Sequence, residues 1–122
     1  MVGSILIVDD EVQLAASCAQ VLRRAGFNCL VAYDGPTALA LFKTQSPVLV
    51  LADINLAQGI GFGLAQDVHT RAPRTSVLLM TASAGVSTSR QAALAGSVGY
   101  LCKPFSSAEL LATVKALLGL AV

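Results

Sequence analysis

The run Ile5-Leu6-Ile7-Val8 is apolar at every position, where a strand with one wet face would alternate, so it reads as a strand buried on both sides. The pattern returns at Val48-Leu49-Val50-Leu51-Ala52, at Val77-Leu78-Leu79-Met80 and, shorter, at Val98-Gly99-Tyr100-Leu101-Cys102, with Cys29-Leu30-Val31-Ala32-Tyr33 as a fifth strand. Between these runs apolar residues recur at helical spacing. Leu14, Cys18, Val21, Leu22 and Ala25 form one stripe, Leu39, Leu41 and Phe42 a second, and Leu64, Ala65 and Val68 a third. Gly26, Ser46-Pro47 and Ala72-Pro73 close these three. Ala92, Ala93 and Leu94 mark a fourth helix, and Leu110, Leu111, Val114, Leu117 and Leu118 the last. Five strands alternating with five helices imply right-handed crossovers and a doubly wound parallel α/β sheet covered on both faces. A length of 122 residues suits one such domain, and a chain of that size buries roughly two thirds of its unfolded surface without a metal or disulfide staple.

Charge is scarce. Only 12% of residues are charged against 55% hydrophobic, where an average soluble domain carries about 25% charged, which excludes disorder. A net charge of +1 is too balanced to attract nucleic acid or an anionic membrane by field alone, so a partner must be found by a site. Cys18, Cys29 and Cys102 are odd in number, far apart and without a CxxC pair, and they read as small core residues in a reducing cytosol. The apolar start Val2 to Val8 lacks a basic flank and meets Asp9 and Asp10 at once, and no apolar run approaches the ~18 residues of a membrane span. The expectation is a cytoplasmic protein, neither exported nor embedded.

Ligands on doubly wound sheets sit outside the carboxyl ends of the strands. The residues there are Asp9 and Asp10 after the first run, Asp53 after the third, Thr81 after the fourth and Lys103 after the fifth. Each has a bland reading: Asp9 and Asp10 as caps of the next helix, Thr81 as a turn residue, Lys103 as a solvated charge. Together they place three of the chain's seven acids in one crevice. Two carboxylates ~4 Å apart at an effective dielectric of 20 repel by about 4 kcal/mol, so such a cluster asks for a cation. Carboxylates with water and a backbone carbonyl suit Mg²⁺, and the lack of nearby His and Cys argues against zinc. A hydroxyl and an ammonium opposite are donors, which a phosphoryl group needs.

Four ordered motifs make the chain similar to the response regulator receiver domains of two-component signalling over essentially its whole length, residues 1–122. They are Ile5-Leu6-Ile7-Val8-Asp9-Asp10-Glu11, Leu51-Ala52-Asp53-Ile54-Asn55-Leu56 with Gly61, Met80-Thr81-Ala82, and Gly99-Tyr100-Leu101-Cys102-Lys103-Pro104-Phe105. The resemblance implies a flavodoxin-like (βα)5 sheet in the order 2-1-3-4-5. It implies that Asp53 is the phosphoacceptor, that Asp9, Asp10, Asp53 and the backbone carbonyl of Asn55 hold Mg²⁺, and that Thr81 and Lys103 bind phosphoryl oxygens. A cis Lys103-Pro104 bond is implied too. The donor is expected to be a phosphohistidine on a sensor histidine kinase or a histidine phosphotransfer protein. The recipient is a downstream protein or fused output domain, and the chain catalyses only its own phosphorylation and dephosphorylation. Ala82 leaves an open approach to the phosphorus. Thr81 and Tyr100 on adjacent strand ends allow a switch in which the ring follows the hydroxyl, the bland alternative being a structural Tyr at the sheet edge. Lys103 and Thr81 are expected at exposed strand ends, where replacing the lysine would leave thermal stability nearly unchanged.

Departures from the family pattern collect in one loop, where Ala57 stands for the common Pro or Gly and Ile60 for a polar residue. Gly59, Gly61 and Gly63 suggest a mobile loop with Ile60 near the mouth, while Leu64 breaks any dinucleotide fingerprint. His69 reads as solvated. Two rivals stand against the switch: a phosphorylation-independent interaction module, and an enzyme such as a flavodoxin-like redox protein or an aspartyl-phosphate phosphatase. The complete five-residue set counts against the first. Few aromatics, no Trp, and Asn55 where a phosphatase carries a second Asp count against the second. From Thr75 to Cys102 the only formal charge is Arg90, so output through a charge-laced dimer is not expected. The apolar Leu117, Leu118, Leu120 and Val122 are expected to dock on another surface or to lead into a further segment.

Overall fold

A computed structural model of the chain describes residues 3–54, 60–81 and 99–119. Nine elements follow in order: β1 (Ser4–Val8), α1 (Val12–Arg24), β2 (Asn28–Ala32), α2 (Gly35–Gln45), β3 (Leu49–Asp53), α3 (Ile60–Arg71), β4 (Ser76–Thr81), β5 (Gly99–Cys102) and α4 (Ser107–Leu117). The five strands form one parallel sheet in the order β2-β1-β3-β4-β5. The helix expected around Ala92 to Leu94 lies outside the described residues.

The lack of alternation in the strands has its cause in two apolar layers. Leu6, Val8, Val50, Ala52, Val77 and Leu79 face Ala38, Phe42, Leu64, Ala65 and Val68 of α2 and α3. Ile5, Ile7, Leu49, Leu51, Leu78 and Met80 face Ala15, Cys18, Ala19 and Leu22 of α1 and Leu110 and Val114 of α4. Both parities of each central strand are therefore fully buried. Ala15 and Ala19, absent from the sequence stripe, are buried too, because small side chains let α1 lie close to the sheet.

Local chemistry fixes the element ends. Gly26 takes φ of 100°, a conformation that side chains resist, and turns the chain from α1 into β2. β2 stops at Ala32, one residue before the expected end; Tyr33 is exposed, and the Asp34 carboxylate accepts the Thr37 N–H at 2.7 Å to start α2. Ser106 and Glu109 form a reciprocal capping box that starts α4. Ile60, Gly61 and Gly63 stand in the first turn of α3 rather than in a loop. His69 is exposed, as expected. Leu117 and Leu118 are half-buried against the α1–α4 layer, and Leu120 and Val122 lie outside the described residues.

The core reading of the cysteines holds for two of the three. Cys18 and Cys29 are buried, and burial pushes the Cys18 thiol up to about 11 and Cys29 in the same direction. Cys102 is exposed, because it ends an edge strand at the rim of the sheet. Since the thiolate is the nucleophile, a disulfide reagent at neutral pH should titrate one of the three thiols in the folded protein and all three in denaturant. Two rapidly reacting thiols in the folded protein would contradict this packing.

Candidate functional site

The sheet's hydrogen bonding runs past the strand ends. The Asp9 N–H donates to the Ala32 carbonyl at 3.1 Å, the Ile54 N–H to Met80 at 2.8 Å and the Lys103 N–H to Thr81 at 2.6 Å. Asp9, Asp53, Thr81 and Lys103 therefore sit on hydrogen-bonded backbone at the carboxyl-terminal end of the sheet. The Lys103-Pro104 bond is cis.

The side chains converge on the lysine. Its Nζ lies 3.0 Å from Asp9 Oδ2, 3.3 Å from Asp53 Oδ2 and 3.7 Å from Glu11 Oε1. Asp9 is wholly buried, its Oδ1 accepting the Glu11 N–H at 2.9 Å. The capping reading of the acids fails, because α1 begins at Val12 with Glu11 at its cap and no side chain bonded there. Burial pushes the Asp9 carboxyl above its ordinary value despite the Glu11 N–H and Lys103, so one cation does not offset the desolvation. For Lys103, burial pulls the ammonium down, but the hydrogen bond and charge of Asp9 and then Asp53 together outweigh it and hold the group above its ordinary value. Lys103 is an ammonium at neutral pH.

One oxygen from each of Asp9, Asp10 and Asp53 lies within 4.8 Å of the others, with Asp9 and Asp53 buried and Asp10 exposed. This all-oxygen set, open on the Asp10 side and short of positive charge, fits a hard divalent cation such as Mg²⁺. It is the donor set expected from the sequence, except that Asn55 lies outside the described residues, as do Ala57, Ala82 and Arg90. Ile60 opens α3, and the expectation for its side chain lies outside what is described.

Thr81 is 2% exposed and the Lys103 side chain 15%, so neither stands at an exposed strand end. The reason is topological: β4 lies between β3 and β5, which wall in its end, and three acids close around the lysine. Tyr100 is half-buried on the edge strand and packs against the α2–α3 layer. Leu79 pairs with Tyr100 and Thr81 with Cys102, so Thr81 and Tyr100 lie diagonally on one face by strand alternation. The sequence assigned no role to Glu11, which stood there only as the last residue of the first motif.

Comparison with known proteins agrees with this geometry. The family profile described as the response regulator receiver domain matches residues 5–115. The chain is 35% identical over 115 residues to the probable transcriptional regulatory protein TcrX of Mycobacterium tuberculosis, covering 94% of this chain and 49% of TcrX. It is 34% identical over 111 residues to the transcriptional regulatory protein ZraR of Salmonella typhimurium, covering 91% of this chain and 25% of ZraR. The chain thus spans about half the length of the first relative and a quarter of the second. Among solved structures, a CheY-like receiver domain protein from Methanospirillum hungatei superposes with a TM-score of 0.91 at 28% identity, over 98% of this chain and 95% of that one. The chemotaxis response regulator CheY4 of Vibrio cholerae gives 0.90 at 25% identity, over 96% and 99%.

Proposed function

The chain belongs to the response regulator receiver domain family, and from that premise we propose that it is a signalling switch accepting a phosphoryl group on Asp53. The observation that carries the reading is Lys103 Nζ held between Asp9 and Asp53 beside the three-carboxylate cluster. In the step proposed, an Asp53 carboxylate oxygen forms a bond to phosphorus as the P–N bond of a phosphohistidine breaks and the imidazole leaves with the electron pair. Phosphoryl transfer is carried mainly by positioning and charge neutralisation. Asp9, Asp10, Asp53 and the Asn55 carbonyl would hold a Mg²⁺ ion, which supplies positive charge to the phosphoryl oxygens. Lys103 donates to one of those oxygens and Thr81 to another. The Thr81 hydroxyl shifts toward the phosphoryl group, and the Tyr100 ring follows into the space it leaves.

The chemistry is confined to the chain's own phosphorylation and dephosphorylation. The donor is a sensor histidine kinase or a histidine phosphotransfer protein in the cytoplasm, and among the described residues no helix is long and apolar enough to cross a membrane. Output goes to a downstream protein or a fused output domain, as the transcriptional regulator names and greater lengths of TcrX and ZraR suggest. With a net charge of +1, this domain itself is not the nucleic-acid-binding part.

Incubation with acetyl phosphate and Mg²⁺, followed by intact-mass measurement, should show one added phosphoryl group per chain, and chelation should prevent it. Absence of any adduct would reduce the chain to an interaction module. An adduct formed equally well under chelation would remove the metal from the scheme.

A further inference from the structure

We propose that Glu11 is a positioning residue that restrains Lys103 and thereby slows capture of a phosphoryl group at Asp53; the inference rests on the phosphoacceptor reading above. An ammonium carries three N–H donors, and three carboxylates surround this one, at 3.0, 3.3 and 3.7 Å. Two of the three, Asp9 and Asp53, also belong to the oxygen cluster with Asp10. Glu11 does not. Its backbone N–H is fixed to Asp9 Oδ1 at 2.9 Å, which anchors the root of the side chain beside the site. The side chain itself is 68% exposed, whereas that of Lys103 is 15% exposed, so Glu11 meets the lysine from the solvent side.

A phosphoryl group also enters from solvent, because Asp9 and Asp53 are buried and Asp10 opens the cluster outward. To receive it, Lys103 must turn an N–H away from a carboxylate and toward a phosphoryl oxygen. At 3.7 Å, Glu11 holds the ammonium by charge and not by a short hydrogen bond, and it competes for that same donor. Exposed ion pairs are weak, so the restraint tunes the site by up to about fivefold and does not gate it. Glu11 also repels any incoming anion directly, an effect independent of Lys103, and the test must separate the two.

Binding of beryllium trifluoride, a phosphoryl mimic, is measured by calorimetry with Mg²⁺ at low salt for wild type, Glu11→Gln, Lys103→Ala and the double variant. Glu11→Gln should bind about three- to fivefold tighter, and acetyl phosphate labelling should quicken by a similar factor. That gain should vanish when Lys103 is absent. The cycle is closed independently on urea midpoints without Mg²⁺, where Glu11→Gln should lower stability more with Lys103 present than with Lys103 absent. An equal gain in both backgrounds would reduce Glu11 to plain repulsion and overturn the proposal, as would no gain in a wild type that binds the mimic. A wild type that takes up neither mimic nor phosphoryl group would bring down the phosphoacceptor reading itself, and this inference with it.

Discussion

Asp53→Asn is expected to abolish phosphoryl incorporation while leaving the fold at least as stable as the wild type in metal-free buffer. An amide nitrogen or oxygen is a poor nucleophile toward phosphorus, so the loss should be complete within the sensitivity of intact-mass measurement. The stability follows from the charges at this end of the sheet. Asp9, Asp10, Glu11 and Asp53 stand against the single ammonium of Lys103. Removing the Asp53 charge forfeits the attraction to Lys103 at 3.3 Å and relieves the repulsions from Asp9 and Asp10. At an effective dielectric of 20 each such term is of order 4 kcal/mol before solvation, so the balance does not favour the carboxylate. The sheet is unaffected, since β3 is held through its backbone pairing with β1 and β4. Mass spectrometry and a urea melt on the same variant check both halves. Labelling that persists would move the acceptor elsewhere, and a variant that unfolds would show the carboxylate to be structural.

The strands were legible because a sheet buried on both faces has to be apolar at both parities, and 5–8, 49–52 and 77–80 are apolar without a break, whereas their order followed only from the family resemblance. Asp9, Asp10, Asp53 and Lys103 stood out because charge is rare in this chain and its strand ends are where the topology gathers it, and Thr81 because its hydroxyl follows the fourth apolar run. What could not be read was depth. Thr81 and Lys103 looked exposed because each follows its strand, and neighbouring strands with converging acids bury them, which is a tertiary fact. The exposure of Cys102 and the start of α3 at Ile60 escaped for similar reasons: a period of two does not identify an edge strand, and glycines in a first helical turn look like a loop. Glu11 is a nearer miss. Its root is anchored beside Lys103 by the hydrogen bond from the Glu11 N–H to the Asp9 carboxylate, which no residue spacing reveals.

That depth reverses the expectation for Lys103→Ala, which is now a destabilising change. The lysine is the counter-ion of Asp9, which is wholly buried, and of Asp53, whose side chain is 8% exposed. Stripping the partner from a buried pair typically costs 3–5 kcal/mol. Here Lys103 keeps 15% exposure and the cluster opens through Asp10, so about 2–3 kcal/mol in metal-free buffer at pH 7 is expected, or roughly 10 °C in melting temperature. The loss depends on pH. Burial already raises the Asp9 carboxyl above its ordinary value of 3.8, and Lys103 works against that rise, so its removal lifts the group further. A carboxyl raised in the folded state contributes stability that is present below its unfolded value and lost as pH climbs through the folded value. The deficit of Lys103→Ala should therefore be largest at neutral pH and shrink toward pH 4. Mg²⁺ at a hundred times its dissociation constant adds about 2.7 kcal/mol and should restore the melting temperature, because a cation replaces the missing charge. It does not replace the donor to the phosphoryl group, so the refolded variant should still label slowly at Asp53. A variant as stable as the wild type at pH 7 without Mg²⁺ would show that Lys103 is not the counter-ion of the buried acids.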